Sequence, residues 1–334
     1  MANPEILRSA SVRLIYNNVD ISVDVAPFLT QVEFTDGIEK ADDLQVTVAD
    51  DGRWRRSWAP VQGATLKADI ILHETGGGRS VLPCGTFVID EPEYSGPPDV
   101  CSIKATSAWI TTALRGETKA RAWESVSLKV VAGTIAKKAK LDLQYLSSVN
   151  PVYSRIDQRF VSDLGWLTKQ AHAAGLRVKV SDGKLILFSV EQFDQAAAIT
   201  TFTPESATKY TFSFGTTGGY SKCVVKWRDA SSKKLHVAEF APADGPKTGQ
   251  TLRINERCES NADAERIAKS RLQAANRMLN KATLDVPGDT RLLSGLNVQT
   301  AGFGGLLDGR WSIEEAKHSV GGSAYSTALT LRRI

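Results

Sequence analysis

The chain holds four histidines, His73, His172, His236 and His318, and four cysteines, Cys84, Cys101, Cys223 and Cys258. These side chains could bind a metal or act as base and nucleophile, but their spacing supports neither. No two cysteines form a CxxC pair, and no histidine stands at metal-ligand spacing from them. Buried free thiols in a reducing compartment are the plain reading. No Walker loop, nucleophile elbow or zinc-helix motif occurs, and the glycine-rich stretch at 302–305 has no lysine following it to cradle a phosphate. Two acidic pairs, Asp90-Glu91 and Glu314-Glu315, could serve glycan hydrolysis. Adjacent strand residues point to opposite faces, however, so each pair reads as one exposed acid and one at a barrel end. No catalytic, cofactor-binding or metal-ligating residue is assigned.

The two acidic pairs lie within a repeat. Residues 85–95 read GTFVIDEPEYS and residues 309–319 read GRWSIEEAKHS. Without a gap, Gly85 meets Gly309, Phe87 meets Trp311, Ile89 meets Ile313, and Tyr94 meets His318. A position that takes Tyr or His is a packing or rim position, not a general base. A weaker match lies upstream of each copy, 61–67 (VQGATLK) against 293–299 (LSGLNVQ). Two blocks repeated in order indicate one small β-domain present twice, an arrangement suited to assembly.

Composition limits the alternatives. At 334 residues the chain can bury two or three cores. Its apolar fraction of 42% and charged fraction of 23% are ordinary. No apolar run is long enough to span a membrane, and residues 1–13 lack the form of a secretory signal, so the expectation is a soluble protein made in a cytoplasm. The 41 basic residues against 37 acidic ones are dispersed, which argues against specific nucleic-acid binding. The best basic candidate is Arg53, Arg55 and Arg56, beside Trp54 and Trp58, and it reads as a solvated loop whose tryptophans cover a barrel end or meet a partner.

Along the chain, residues 11–110 read as short alternating strands, with Asn17-Asn18 as a hairpin turn. The apolar spacing at 127–140 predicts a helix with Leu128, Val131 and Ile135 on one face. Ser162 is placed to cap a second helix that Gly175 ends, and Ser181-Asp182-Gly183 marks a hairpin. Strands return at 201–233, a polar loop fills 241–250, and Ser260 opens a long helix before the final strands.

Three stretches taken together resemble a known family. They are GTFVID at 85–90 followed by SGPPD at 95–99; Arg121-Ala122-Trp123 leading to Leu128 and Thr134-Ile135-Ala136; and QRFVSDLGWL at 158–167 leading to Gly175-Leu176 and Asp182-Gly183-Lys184-Leu185. This pattern resembles the phage late-control protein D family, the baseplate hub of contractile tails. The third stretch is similar to the hub-like N-terminal part of type VI secretion spike proteins. Gly165 and Trp166 depart from the family pattern, where a second acidic or polar residue and an aromatic such as Phe are expected.

The resemblance implies a mainly β (α+β) fold with two tail-tube-like antiparallel β-barrels, a smaller inserted α/β domain and a long-helix extension. The expected division is 1–112 for the first barrel, 113–200 for the α+β domain, 201–233 with 282–334 for the second barrel, and 234–281 for the extension. It further implies a non-enzymatic homotrimer that joins a hexameric tail tube, or its initiator, to a trimeric spike and forms part of the central channel. Its setting would be the virion tail tip or a phage-like particle, after assembly in the host cytoplasm. Tape-measure and other baseplate proteins are implied partners, and no cofactor is. The chain ends at Leu329-Thr-Leu-Arg-Arg-Ile334 with no spike repeat after it, so the spike is expected to be a separate protein. The alternative reading is a tail-associated glycan-binding module or peptidoglycan hydrolase.

Overall fold

Alternation of apolar and polar residues builds most of this molecule. In the stretch DLQVTVA, for example, Leu44, Val46 and Val48 are buried while Asp43, Gln45 and Thr47 face out. The computed structural model describes residues 8–334 apart from 57, 75, 110–111, 216–217, 229–232, 243–248, 257, 259 and 323. The expected polar loop at 241–250 lies largely outside the described residues.

The first third runs β1 (Ser9–Tyr16), β2 (Val19–Asp20), α1 (Ser22–Val25), β3 (Leu29–Gly37), β4 (Asp43–Ala49), α2 (Arg53–Arg56), β5 (Thr65–His73), β6 (Arg79–Ser95) and β7 (Val100–Ser107). Next come α3 (Thr112–Arg115), β8 (Thr118–Ser127), α4 (Leu128–Lys138), β9 (Asp142–Leu146), β10 (Val152–Ser162), α5 (Asp163–Ala173), β11 (Leu176–Ser181), β12 (Lys184–Ser189) and α6 (Val190–Asp194). The remainder holds β13 (Ala198–Phe202), β14 (Lys209–Phe214), β15 (Tyr220–Arg228), β16 (Leu235–Phe240), β17 (Gln250–Asn255), α7 (Asn261–Asn276), β18 (Asn280–Pro287), β19 (Asn297–Thr300), β20 (Gly309–Gly321) and β21 (Ala324–Arg333).

Local signals set several boundaries. Asn17 and Asn18 both take left-handed φ, 45° and 68°, as a tight hairpin turn requires. The strand after this turn is short and stops at Asp20, because Ser22 opens the short turn of α1. Ser127, Ser162 and Ser260 each accept a backbone N–H of the helix they cap. Helix α4 buries Leu128, Val131, Ala132, Ile135 and Ala136 on one face.

The mainly antiparallel β class holds, with a correction to how the strands close. Among the described residues one sheet runs β14-β18-β21-β20-β3-β4-β7-β6-β5-β1-β2, with β19 and β13 continuing from β20. Strand β3, which would have to seal the first half into a barrel, pairs with β20 instead. The two expected barrels are therefore two open halves of a single sheet. A second correction concerns 201–233. Residues 220–228 leave the second half and pair with β16 and β17 in a separate three-stranded sheet. Cys223, Val225 and Trp227 on that sheet pack against Ala264, Ile267 and Ala268 of α7, which buries the apolar face of that helix. The unit containing α4 and α5 also holds strands that periodicity missed: β8 pairs with β10, and β9 runs parallel to β12.

Candidate assembly surface

The repeated blocks fold into the same turn and the same strand register. Gly63 and Gly295 have φ of 84° and 87°, and each donates its N–H at 2.8 Å to an isoleucine carbonyl, Ile89 and Ile313 respectively. The isoleucines return the bond to Ala64 at 2.9 Å and Leu296 at 2.8 Å. From there the pairings coincide: Leu66 lies opposite Phe87 as Val298 lies opposite Trp311, and Ala68 opposite Gly85 as Thr300 opposite Gly309. Phe87 and Trp311 are both fully buried.

A β-bulge follows at the same place in each copy. Ile89 faces Ala105 and Ile313 faces Leu331, one extra residue intervenes, and pairing resumes with Glu91 at Lys104 and Glu315 at Thr330. The extra residues are Asp90 and Glu314. The expectation of simple alternation within the two acidic pairs fails for this reason: a bulge resets which face each residue takes. Asp90 and Glu91 are both exposed, whereas Glu314 is held by Arg277 at 2.7 Å and Arg332 at 2.8 Å. The copies diverge in their first strand, since β1 runs antiparallel to β5 while β13 runs parallel to β19.

Each half thus contributes four strands to a common face: β3, β4, β7 and the end of β6 from one, and β14, β18, β21 and the end of β20 from the other. The side of this face away from the cores carries Thr35, Gln45, Thr47, Ser102 and Thr106 in the first half and Thr211, Ser213, Thr283, Ser326 and Thr330 in the second. Its charges are mixed. Lys317 pairs with Glu33 at 2.7 Å, and Lys104 lies 3.3 Å from Glu91 and 3.0 Å from Glu93. Asp43 stands on it, while Asp42 and Asp50 are buried elsewhere. No arginine cluster and no aromatic ring occupies this part of the surface among the described residues.

The halves meet where β20 pairs with β3, from Glu315 opposite Gly37 to Val320 opposite Val32. The sheet also has two unused edges. Among the described residues β14 pairs only with β18, and β6 beyond its bulge pairs only with β7. Aromatic side chains gather at these edges: Tyr94 is 38% exposed, Tyr210 48% and Phe214 37%.

Buried charges lock the α4–α5 unit onto the sheet. Lys179 bonds the Asp36 carboxylate and, at 2.8 Å, Ser294 Oγ, while Asp36 also accepts the Ser294 N–H at 2.7 Å. Asp42 accepts from Ser181 Oγ at 3.0 Å, but its Oδ1 has no hydrogen-bond partner. Burial pushes the Asp42 carboxyl up to about 7, with Lys179 opposing and neighbouring Asp36 adding to the rise. Glu39 accepts from His172 and from Arg177 at 3.1 Å, and these partners hold it below the usual carboxylate range despite its burial. Between α5, α6, α7 and β21 lies a cleft of about 420 Å³, lined by Arg177, Arg266, Lys269, Arg277 and Arg332. Those cations answer to nearby acids, among them Glu39, Asp263, Glu191, Glu314 and Asp194.

The sequence candidates are scattered. His318 is buried at the seam, His172 faces Glu39, His236 stacks on Trp227 at 4.5 Å, and His73 contacts Ser11 at 3.2 Å. All four cysteines are buried and free. Trp54 is buried on α2 with its Nε1 donating to Ala49 O at 3.1 Å, and Trp58 stacks edge-on against it at 4.9 Å. Arg53 and Arg55 pair with Asp51 and Asp50, so this cluster closes the end of the first half as a solvated turn. The described residues contain no group of three or more His, Cys, Asp or Glu placed to hold a metal ion. None of their helices is long and apolar enough to cross a membrane. Sequence reasoning missed the paired edges, because strands far apart in sequence carry no local mark of who their neighbour is.

No protein-family model matches the chain. It is similar to the probable baseplate hub protein of Escherichia phage 186, at 25% identity over 95% of this chain and 91% of that one. The probable baseplate hub protein of Escherichia phage P2 is likewise 25% identical, over 95% of this chain and 92% of its own. Among solved structures, the tail protein from Neisseria meningitidis MC58 superposes with a TM-score of 0.75 at 12% identity, covering 97% of both chains. The 43 kDa tail protein of prophage MuSo2 from Shewanella oneidensis gives 0.74 at 15%, covering 97% of this chain and 98% of that one. An E. coli type VI secretion component gives 0.54 at 11%, over 92% of this chain and 74% of its own. The solved structures establish a shared fold, and the likeness to baseplate hub proteins rests on the two phage relatives.

Proposed function

We propose that this chain is a structural baseplate hub protein of a contractile tail or phage-like particle. Three copies would join a hexameric tail tube to a trimeric spike. The observation that carries the reading is the single sheet built from two halves in matching register. A chain that contains the tube-like element twice needs only three copies to present six, which is what an adaptor between sixfold and threefold partners requires. The two relatives of phages 186 and P2 support the setting, since both are described as baseplate hubs.

In this reading the polar face lines a channel. Threonine, serine and intermixed Lys and Glu offer neither a sticky apolar wall nor a stripe of cations to trap a polyanion. The four apolar clusters correspond to the first half, the α4–α5 unit, the second half and the α7 extension, and part-buried ion pairs such as Lys179 with Asp36 and Arg277 with Glu314 join them. The tube or tube-initiator protein, a spike protein, the tape-measure protein and other baseplate proteins are the partners. The chain acts without catalysis, at the virion tail tip, after assembly in the host cytoplasm. Mixing it with its tube and spike proteins and measuring mass by light scattering is the test. Three copies per complex are expected, and a chain that stays monomeric with both partners present overturns the proposal.

A further inference from the structure

The joint between the two halves implies a second joint that only another copy can make. Strands β3 and β14 hold equivalent places. Phe34 lies opposite Leu44 and Phe212 opposite Ala282; Leu44 and Ala282 lie opposite Ala105 and Leu331; and these face Ile89 and Ile313, the paired isoleucines of the repeat. By the same chain of pairings Tyr94 on β6 is the equivalent of His318 on β20. Within the chain, His318 of the second half lies opposite Phe34 of the first. Among the described residues, the corresponding sides of β14 and of Glu91–Ser95 in β6 have no strand beside them.

The backbone is aimed accordingly. Ile38 N–H donates to Glu314 O at 3.0 Å, so by strand alternation Asp36 and Phe34 also turn their polar groups toward β20. Gly215 N–H donates to Leu279 O at 2.7 Å, so Phe214 and Phe212 turn theirs away from β18, toward the open side. A row of unpaired donors and acceptors on a sheet edge is a template for another strand.

We infer that β14 of one copy pairs antiparallel with Glu91–Ser95 of β6 in the next copy, with Tyr94 opposite Phe212 and Glu93 opposite Ser213. This rests on the ring reading above and names its contact. Three features besides register favour a second copy as the occupant. The edges carry complementary aromatics, where the chain's own joint stacks His318 on Phe34 with ring centroids 6.0 Å apart. They differ in sign where they would meet, with Glu91 and Glu93 on one edge and, on the other, Lys281 of β18 opposite Ser213, while Lys209 lies opposite Asp285. And the contact is head-to-tail, the kind that closes into a ring. Pro92 stands where β20 has Ala316 and brings no N–H, so this ladder has one donor fewer than its internal counterpart.

Cysteine cross-linking tests the register. In antiparallel pairs that do not exchange hydrogen bonds the side chains approach closely enough for a disulfide, and Glu93 with Ser213 is such a pair on the polar face. The double variant Glu93→Cys, Ser213→Cys, assembled with the tube and spike proteins and then oxidised, is expected to lose most of its monomer band to species of two and three chains. Each single variant should not. Thr35→Cys with Lys317→Cys, the equivalent internal pair, should form its bond within one chain. A Glu93→Cys, Thr211→Cys variant, displaced by two residues, should cross-link far less. If three copies assemble by mass but the first pair stays reduced, or the displaced pair links instead, the joint is wrong and the hub reading survives. If no copies associate, both fall. Cross-linked polymers that never close at three would support the joint and contradict the ring.

Discussion

His318 and Phe34 lie face to face across the seam of the sheet, with ring centroids 6.0 Å apart and planes 19° from parallel. The imidazole is fully buried and its hydrogen bonds are complete: Nε2 donates to Leu292 O at 2.9 Å, and Nδ1 accepts from the Tyr325 hydroxyl at 2.7 Å in the tautomer that this network selects. A histidine serves here as the hinge pin between two repeats rather than as a base.

Burial lowers the proton affinity of His318 below its ordinary value. Below about pH 6.5 the unfolded chain takes up a proton that the folded chain resists, so stability falls as pH falls through that range. Replacing His318 with Gln should weaken the fold at pH 8 and also flatten the acid limb relative to the parent. Urea midpoints measured from pH 8 to pH 5 check both. An unchanged acid limb in the variant would assign the effect elsewhere.

Asp42 should behave in the opposite sense. Its folded carboxyl, raised to about 7, holds a proton that the unfolded chain releases near pH 4. Stability contributed by that bound proton declines as pH rises from about 4 to about 7. Asp42→Asn keeps the shape without the charge, so it should raise the unfolding midpoint above pH 7, by ~1.4 kcal/mol for each tenfold change in proton affinity removed. A variant less stable at pH 8 would mean that the attraction of Lys179 dominates.

The repeat makes a paired prediction about packing. Phe87→Ala and Trp311→Ala each empty the same site in one half and should each cost roughly 3–5 kcal/mol by chemical denaturation. A large cost at one site and a negligible one at the other would mean that the halves do not share a core design.

Helix α5 is anchored by two adjacent residues of the sequence motif that suggested the family. Ser162→Ala removes the cap to Gly165 N–H and should cost about 1 kcal/mol. Asp163 is buried, and burial opposes its charge; bonds from Lys119 at 2.9 Å and Gln158 at 3.0 Å, with Arg121 beside it, outweigh that and hold it below the usual range. Asp163→Ala strands those partners and should cost more, about 3–5 kcal/mol. Equal effects from the two substitutions would contradict this ranking.

Much of this was legible in sequence because it is local. The glycine–aromatic–isoleucine spacing of each repeat survives because a backbone position with φ of 104° at Gly85 and 149° at Gly309 favours glycine and the buried ring needs an aromatic, and serine caps announce the helices. What was not legible depends on distant pairing. Nothing near Phe34 signals that β20, almost the whole chain away, will occupy its edge, so two closed barrels were expected where one open sheet exists. Residues 220–228 alternate as any strand does, and only the apolar face of α7 decides which sheet they join. The bulge at Asp90 and Glu314 defeated the simple alternation argument, since one inserted residue reverses the facing of all that follow.

The channel assignment predicts a transport phenotype. Lysines introduced together at Thr35, Thr47, Thr283 and Thr330 should leave particle yield unchanged while lowering delivery of nucleic acid by about tenfold or more, with partial recovery at higher salt as phosphate binding weakens. Equal delivery by parent and variant particles would place this face away from the conduit.

The most direct test of the central claim is a cryo-EM reconstruction of the assembled tail tip that counts copies of this chain and superposes their halves. The account predicts three copies around the axis, six equivalent sheet halves, and Gly85 and Gly309 alternating at the same height. Six copies, or three copies whose two halves take unrelated positions around the axis, would contradict it.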